Sequence, residues 1–239
     1  MSIATEISRL QAAKAGLKTA IEGKGVTVPS ATTLDGYAAL VGQIQTGGSG
    51  TDYLAALLSD TLTSYTVSGN KVKAHTFRGA RSLATVHFTG SNVDVETYAF
   101  NQSGLTALAI PSAASIETYA FAGCTALNVA DINLASSIPA NAFNGATSLN
   151  VLVLRKSSGV TALSNVNAFT NTPFKNGGTG GTIYIPKALY DHLGDGTASD
   201  YKAATNWSTI NGYGTITWAK IEGSIYEDAY ADGTPIPTT

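Results

Sequence analysis

Charge is scarce in this chain of 239 residues: Lys, Arg, Asp and Glu make up 13% of it, about half of the ~25% usual for a globular protein. The formal net charge is −2, and the densest basic pair is Arg155-Lys156. A nucleic-acid partner would need a positive stripe to displace counterions from phosphates, so none is expected. Cysteine is almost absent as well. A single thiol, Cys124, closes no intrachain disulfide, which excludes a disulfide framework. It is expected in a packed turn, as a small buried hydrophobe. No run approaches the ~20 apolar residues that span a bilayer, so membrane insertion is not expected. The first residues, Met1-Ser2-Ile3-Ala4-Thr5-Glu6, carry no apolar run of signal-peptide length. The expectation is a protein made in the cytoplasm and released, if at all, by lysis.

The usual catalytic constellations are missing too. One cysteine and three distant histidines (His75, His87, His192) cannot supply close paired zinc ligands. Gly177-Gly178-Thr179-Gly180-Gly181 is glycine-rich, but no Lys-Ser/Thr follows it, so it reads as a turn and not as a phosphate cradle. No serine elbow is present. No catalytic residue, cofactor or metal is therefore expected.

What is there is a polar, nearly uncharged surface of Thr, Ser, Asn, Gly and Ala around 44% hydrophobic residues. At the N-terminus, Ile3, Ile7, Leu10, Leu17 and Ile21 fall at alternating three- and four-residue steps, with Lys14 in the vacant position. This is the seam of a short helix that either packs on its own chain or joins copies into a bundle. The helix is under three heptads and needs a partner. We read residues 1–46 as a helical assembly or attachment region. Residues 47–50 (Gly47-Gly48-Ser49-Gly50) form a flexible linker. Thr51-Asp52 is expected to cap a further short helix.

From there the chain repeats itself. Leu83, Leu105, Leu127 and Leu149 recur every 22 residues, and so do Val86, Leu108, Ala130 and Leu152, and Phe88, Ile110, Ile132 and Leu154. A second block precedes each: His75-Thr76-Phe77, Tyr98-Ala99-Phe100, Tyr119-Ala120-Phe121, Asn141-Ala142-Phe143 and Asn167-Ala168-Phe169. Val72, Val95, Ile116 and Ile138 stand five residues before their phenylalanine. Such columns mark a stack of coils, each burying its apolar positions against the same positions of the next. The expected fold is α+β: a short N-terminal helical region, then a right-handed leucine-rich-repeat-like solenoid over residues 51–185 with one parallel β-sheet, then a C-terminal cap and tail over residues 186–239. Phe77, Phe100, Phe121, Phe143 and Phe169, with Leu83, Leu105, Leu127 and Leu149, are assigned to the repeat core.

The block Tyr119-Ala120-Phe121-Ala122-Gly123-Cys124-Thr125-Ala126-Leu127, repeated from Asn141 to Leu149, resembles the BspA-type leucine-rich repeats of bacterial surface antigens. The resemblance spans residues 62–185. Asn101-Gln102-Ser103-Gly104 is one residue short of the motif. The flanks, Lys24-Gly25-Val26-Thr27-Val28-Pro29 and Leu34-Asp35-Gly36-Tyr37 before the repeat, and Ile183-Tyr184-Ile185-Pro186 and Asp200-Tyr201-Lys202-Ala203-Ala204-Thr205-Asn206-Trp207 after it, resemble prophage tail-associated proteins. Trp207 and Trp218 are expected to anchor a cap more than to serve as ligand platforms.

Two surface features stand out. Glu96 and Glu117 sit four residues before their phenylalanines. One coil apart, they would approach the ~5 Å spacing of retaining glycosidases, but the later copies carry no glutamate there, and a solvated edge is the plainer reading. Among the outward strand positions Thr85, His87, Ala107, Ala109, Val129, Asp131, Val151 and Val153, the apolar ones, Ala107, Ala109, Val129, Val151 and Val153, are odd for an open surface. They form a candidate interface for another subunit or virion protein, unless the C-terminal segment covers them.

The resemblance implies a bacteriophage or prophage virion protein, a tail or head fibre located in the virion, that presents the repeat for host-surface binding and has no enzyme activity. Homo-oligomers, by family analogy trimers, other virion proteins and a host cell-surface glycan are the expected partners. Asn92, Asp94, Asn133 and Asn165 are candidate glycan contacts. A bacterial adhesin, a decoration protein without receptor activity, and a glycan depolymerase are the alternatives, in that order.

Overall fold

The computed structural model describes residues 11, 14–15, 18–19, 21–22, 28–29, 57, 60–134 and 136–221. The chain divides into two compact units, Met1–Ala56 and Leu57–Thr239, a division six residues after the Gly47-Gly48-Ser49-Gly50 segment.

In the first unit, Gln11, Lys14, Ala15, Lys18, Thr19, Ile21 and Glu22 are helical. Lys18 Nζ binds Glu22 Oε1 at 2.7 Å one turn on, and also Val28 O at 3.0 Å. Ile21 is 2% exposed, and Lys14 is half-buried. The other seam positions, Ile3, Ile7, Leu10 and Leu17, lie outside the described residues.

The second unit is built almost entirely of short parallel strands: β1 (Ser64–Val67), β2 (Lys71–Val72), β3 (Thr85–Phe88), β4 (Val93–Val95), β5 (Ala107–Ile116), β6 (Val129–Leu134) and β7 (Val151–Leu154). A 3-10 turn (Val166–Phe169), β8 (Gly181–Pro186), α1 (Lys187–Tyr190), α2 (Trp207–Asn211) and β9 (Ile216–Ile221) complete it. The expectation of one sheet needs correction. A two-stranded sheet pairs β1 with β3, and a seven-stranded sheet runs β2-β4-β5-β6-β7-β8-β9. The larger sheet joins two ladders on two sides of the coil, and β5 is the strand they share. Its first half pairs with β6 (Ala107↔Val129 to Ile110↔Ile132), and its second half pairs with β4 (Ser115↔Asp94, Ile116↔Val95). The second ladder exists because Val72, Val95 and Ile116 form a β-branched column of their own, which prefers a pleated surface.

The registers are those of a stack. Ala107 opposes Val129 and Val129 opposes Val151, 22 residues on each time. Val151 then opposes Thr182 across a longer last coil. Inside, Phe77, Phe100, Phe121, Phe143 and Phe169 form a continuous column, with ring centroids 5.1, 5.4, 5.5 and 5.8 Å apart and planes within 14° of parallel. All five are at most 3% exposed, and Leu83, Leu105, Leu127 and Leu149 are fully buried. Phe100, Phe121 and Phe143 each sit between two copies of the same ring, so no such coil could bury its phenylalanine alone. Beyond Phe169 the column meets Trp207, at 5.9 Å.

Candidate recognition surface

A second column of rings lies on the surface beside the phenylalanines. His75 and Tyr98 stack at 5.2 Å, and Tyr98 and Tyr119 at 4.9 Å, with planes within 10° of parallel. The Arg78 guanidinium lies 5.3 Å from the Tyr98 ring centre, close enough for a cation–π contact. His75 is exposed, and Tyr98 and Tyr119 are half-buried. Asn141 continues the column, and its Oδ1 accepts from Asn144 Nδ2 at 3.2 Å.

Backbone geometry sets these residues apart. His75, Tyr98, Tyr119 and Asn141 have φ of 61°, 58°, 60° and 60°. That is the left-handed region, which costs a side-chain-bearing L-residue about 1–2 kcal/mol. Four residues further on, the chain takes the same region again, with Gly79, Gly123 and Gly145 at 76°, 71° and 79°. One left-handed column therefore uses glycine in three of four copies, and the other never does. Stacking of the rings, about 0.5–1.5 kcal/mol per pair, offsets part of the strain.

Both glutamates are engaged within the stack. Glu96 Oε2 accepts the Ala74 N–H at 2.9 Å, and Glu117 Oε2 accepts the Thr97 N–H at 2.9 Å and the Thr97 hydroxyl at 2.8 Å. Each carboxylate reaches back one coil to satisfy a turn amide. The Ala74 N–H, helped by Lys71 and Lys73 against partial desolvation, holds Glu96 below the usual carboxylate range. Where the later copies lack glutamate, Ser137 and Ser164 bridge the coils by their hydroxyls at 2.9 Å.

The candidate interface row is not an open surface. Val129, Val151 and Val153 are 5%, 7% and 0% exposed within the single chain, with Tyr184 and Ile221 packed against them. Ala107 and Ala109 are half-buried. Asp131, in the same row, is 3% exposed and bound by Arg155 from the next coil. Strand alternation alone expects these side chains to face solvent, but β8 and β9 extend the same sheet and bring Tyr184 and Ile221 alongside.

Of the four candidate glycan contacts, three are engaged within the chain. Asn92 exchanges hydrogen bonds with Ser112, Asp94 accepts the Ser115 hydroxyl at 2.6 Å, and Asn165 Oδ1 accepts the Asn167 N–H at 2.8 Å. Asn133 is exposed. Trp207 is fully buried and donates its indole N–H to Thr161 O at 2.7 Å, which removes it as a ligand platform. Trp218 is half-buried. Among the described residues no group of His, Cys, Asp and Glu could hold a metal ion, and no helix is long and apolar enough to cross a membrane.

Residues 58–176 match the family model of the BspA type leucine rich repeat region, in six copies. The repeat region is a BspA-type leucine-rich repeat. No match is found among the curated proteins or the solved structures. In the terms of the BspA-type coil, the surface column is the first position of the (Y/N)-A-F block, and the glycine column is the position two beyond the phenylalanine. The sequence shows the tyrosines and asparagines of that block as a repeated column; exposed Tyr, Asn and Thr on turns are its expected glycan contacts, but no residue of the column is among the named candidates. The signal was an aromatic repeated at a turn position, where turns ordinarily carry Gly, Asn or Asp.

Proposed function

We propose that this chain is a non-enzymatic recognition protein of a bacteriophage or prophage virion, in which the BspA-type solenoid presents the His75–Tyr98–Tyr119–Asn141 column to a polymer on the host surface. The observation that carries this reading is the column's backbone strain, kept by side-chain-bearing residues in four successive coils. Strain of this kind gathers at ligand contacts. The rings of His75, Tyr98 and Tyr119 repeat at 5.2 and 4.9 Å, close to the strand spacing of ~4.8 Å, and an extended pyranose chain repeats at a similar distance. Such a surface suits a linear bacterial glycan, read along its edge by hydroxyl and amide groups.

The first 46 residues would attach the protein to other virion components and join copies, as a trimer, through the helix seam that includes Lys14 and Ile21. Residues 186–239 would close the far end of the stack, a role supported by the Trp207 ring packed, tilted, beyond Phe169 at 5.9 Å. A cell-surface adhesin is the second reading, because BspA-type repeats occur in surface adhesins; it uses the same column.

The test is binding of the purified full chain to immobilised bacterial capsular and wall polysaccharides, with its solution mass measured by light scattering. We expect a trimer that binds at least one polymer. The pair Tyr98→Ala and Tyr119→Ala should abolish that binding with the circular dichroism unchanged. Undiminished binding by the double variant would remove the column from the proposal, and a monomeric full chain would remove the seam.

A further inference from the structure

The chain contains three Asn-Gly pairs, Asn144-Gly145, Asn176-Gly177 and Asn211-Gly212. Such a pair carries a reaction of its own. The glycine nitrogen can reach the asparagine side-chain carbon, because glycine has no Cβ to crowd the approach. The reaction needs two freedoms. The side chain must turn towards the following amide, and that amide must give up any hydrogen bond it makes.

Two of the pairs lack both freedoms. Asn144 is half-buried, and its Nδ2 donates to Asn141 Oδ1 at 3.2 Å, while the Gly145 N–H donates to Thr170 O at 2.8 Å. Asn211 Oδ1 accepts the Trp218 indole N–H at 2.8 Å, and the Gly212 N–H closes the end of α2 onto Ser208 O at 2.9 Å. Both glycines are also closely packed. A Cβ on Gly145 would lie 3.6 Å from Gly123 Cα, and one on Gly212 would lie 3.3 Å from Ser208 O.

Asn176 is different. It is exposed, on the loop between Phe174 and β8. Lys175 O accepts the Gly178 N–H at 2.7 Å, so Asn176 and Gly177 are the two central residues of a tight turn. A turn closed in this way uses the N–H of neither central residue. Gly177 has φ of +75°, and a Cβ built on it would meet nothing within 4 Å, so this peptide lies open to water and base. The base of the loop is fixed. The Gly180 N–H donates to Pro173 O at 3.1 Å, and the Thr215 hydroxyl donates to Phe174 O at 2.7 Å.

We propose that Asn176 is a site of spontaneous deamidation in the folded protein. The Gly177 nitrogen loses its proton and attacks Asn176 Cγ. The new C–N bond closes a five-membered imide, and the side-chain nitrogen leaves as ammonia, taking that proton. Water then opens the ring. Opening at Cγ leaves aspartate, and opening at the main-chain carbonyl leaves isoaspartate, with the backbone running through the former side chain. One water is consumed, one ammonia is released, and no other reactant takes part. The product sets a carboxylate beside Lys175 and makes the chain one charge more negative than its present −2. The protein thus passes with time from one charge form to a second. The site is separate from the tyrosine column and stands whatever that column binds.

The experiment incubates the purified full chain at pH 8 in heavy-oxygen water, with a parallel sample unfolded in guanidinium chloride, and follows both by peptide mass spectrometry. In the folded chain the peptide holding Asn176 should exchange its amide nitrogen for one labelled oxygen. It should do so about tenfold faster, or more, than the peptides holding Asn144 and Asn211, each of which must first break two hydrogen bonds. In guanidinium chloride the three should react at similar rates, since all are followed by glycine. Asn176→Gln, whose longer side chain cannot close the five-membered ring, should lose the acidic form that ion exchange resolves in the aged protein. An intact Asn176 in the folded chain, or equal rates at the three pairs there, would overturn the proposal. So would a rate difference that persisted on unfolding, or an acidic form undiminished in Asn176→Gln.

Discussion

Arg155 grips Asp131 at two points, Nε to Oδ1 at 2.8 Å and Nη2 to Oδ2 at 2.7 Å, from one coil to the next. The pair lies in the row of Val129, Val151 and Val153, with 4% of the Asp131 side chain and 16% of the Arg155 side chain exposed. Two charges in so dry a place hold each other there. Removing only one of them strands the other in a medium that disfavours it.

Asp131→Ala is therefore expected to destabilise the protein by about 3–5 kcal/mol, whereas replacing both residues with apolar ones of similar volume should cost far less or nothing. Urea unfolding of the two variants measures the difference. Equal losses in the two would mean that the ion pair itself, and not a stranded guanidinium, carries the energy.

Glycine at the second left-handed column leads to a paired test. Gln102 stands in that column with φ of 59°, where the neighbouring coils have Gly79 and Gly123. Its side chain is exposed. Gln102→Gly should relieve the left-handed strain of about 1–2 kcal/mol less the entropy cost of glycine, about 0.5–1 kcal/mol, for a net gain of a few tenths to one. Gly123→Ala should go the other way, because φ is +71° and the new Cβ would lie 3.0 Å from Gln102 Cγ. Thermal melts decide both, and a stabilised Gly123→Ala would sink the account.

Most of the solenoid was legible in the sequence because its contacts join like to like. Leu83, Leu105 and Leu127 touch across coils at a fixed spacing, so the period of the chain is also the period of the structure. The second ladder was visible only as the column Val72, Val95, Ile116. Its strands β2 and β4 are two and three residues long, too short for alternation to show. The glutamates were legible as a column, but their purpose was not: Glu96 and Glu117 turn back to the amides of Ala74 and Thr97, and nothing local in the sequence separates that from a solvated edge. The covered row of Val129, Val151 and Val153 failed for a different reason. Its cover includes Tyr184 and Ile221, far along the chain, and periodicity says nothing about such contacts.

Thr161 is held on both sides of its peptide environment: Tyr201 Oη accepts its N–H at 2.9 Å, and its carbonyl accepts the Trp207 indole N–H at 2.7 Å. Thr161 and both rings are at most 1% exposed. Tyr201→Phe keeps the packing but leaves a buried N–H without its acceptor, which costs about 1–3 kcal/mol. The melting temperature should fall by several degrees, since one kcal/mol is worth roughly 2–4 °C at this size. An unchanged melt would mean that water replaces the hydroxyl.

Cys124 gives the alkaline side of the stability profile. Its thiol is fully buried, donates to Phe100 O at 3.0 Å and lies 3.4 Å from Ser103 Oγ. Burial pushes its pKa up from 9.0 to about 11. The folded chain thus holds the proton more tightly than the unfolded chain. Below pH 9 both states are protonated and the full stability is present. Between pH 9 and about 11 only the unfolded thiol ionises, and stability falls by about 1.4 kcal/mol per pH unit from this group. Tyr201, whose hydroxyl burial also pushes upward, adds to the loss from pH 10. Urea midpoints measured from pH 8 to 11 should therefore drop steeply, and the drop should be shallower in Cys124→Ala, which is weaker at pH 8 but lacks the thiol's share of the slope. Because the thiolate is the reactive form, native Cys124 should also resist iodoacetamide at pH 8 and react once urea unfolds the coil. A thiol that alkylates at the same rate in both states would show that it is neither buried nor held protonated, and the predicted alkaline slope would go with it.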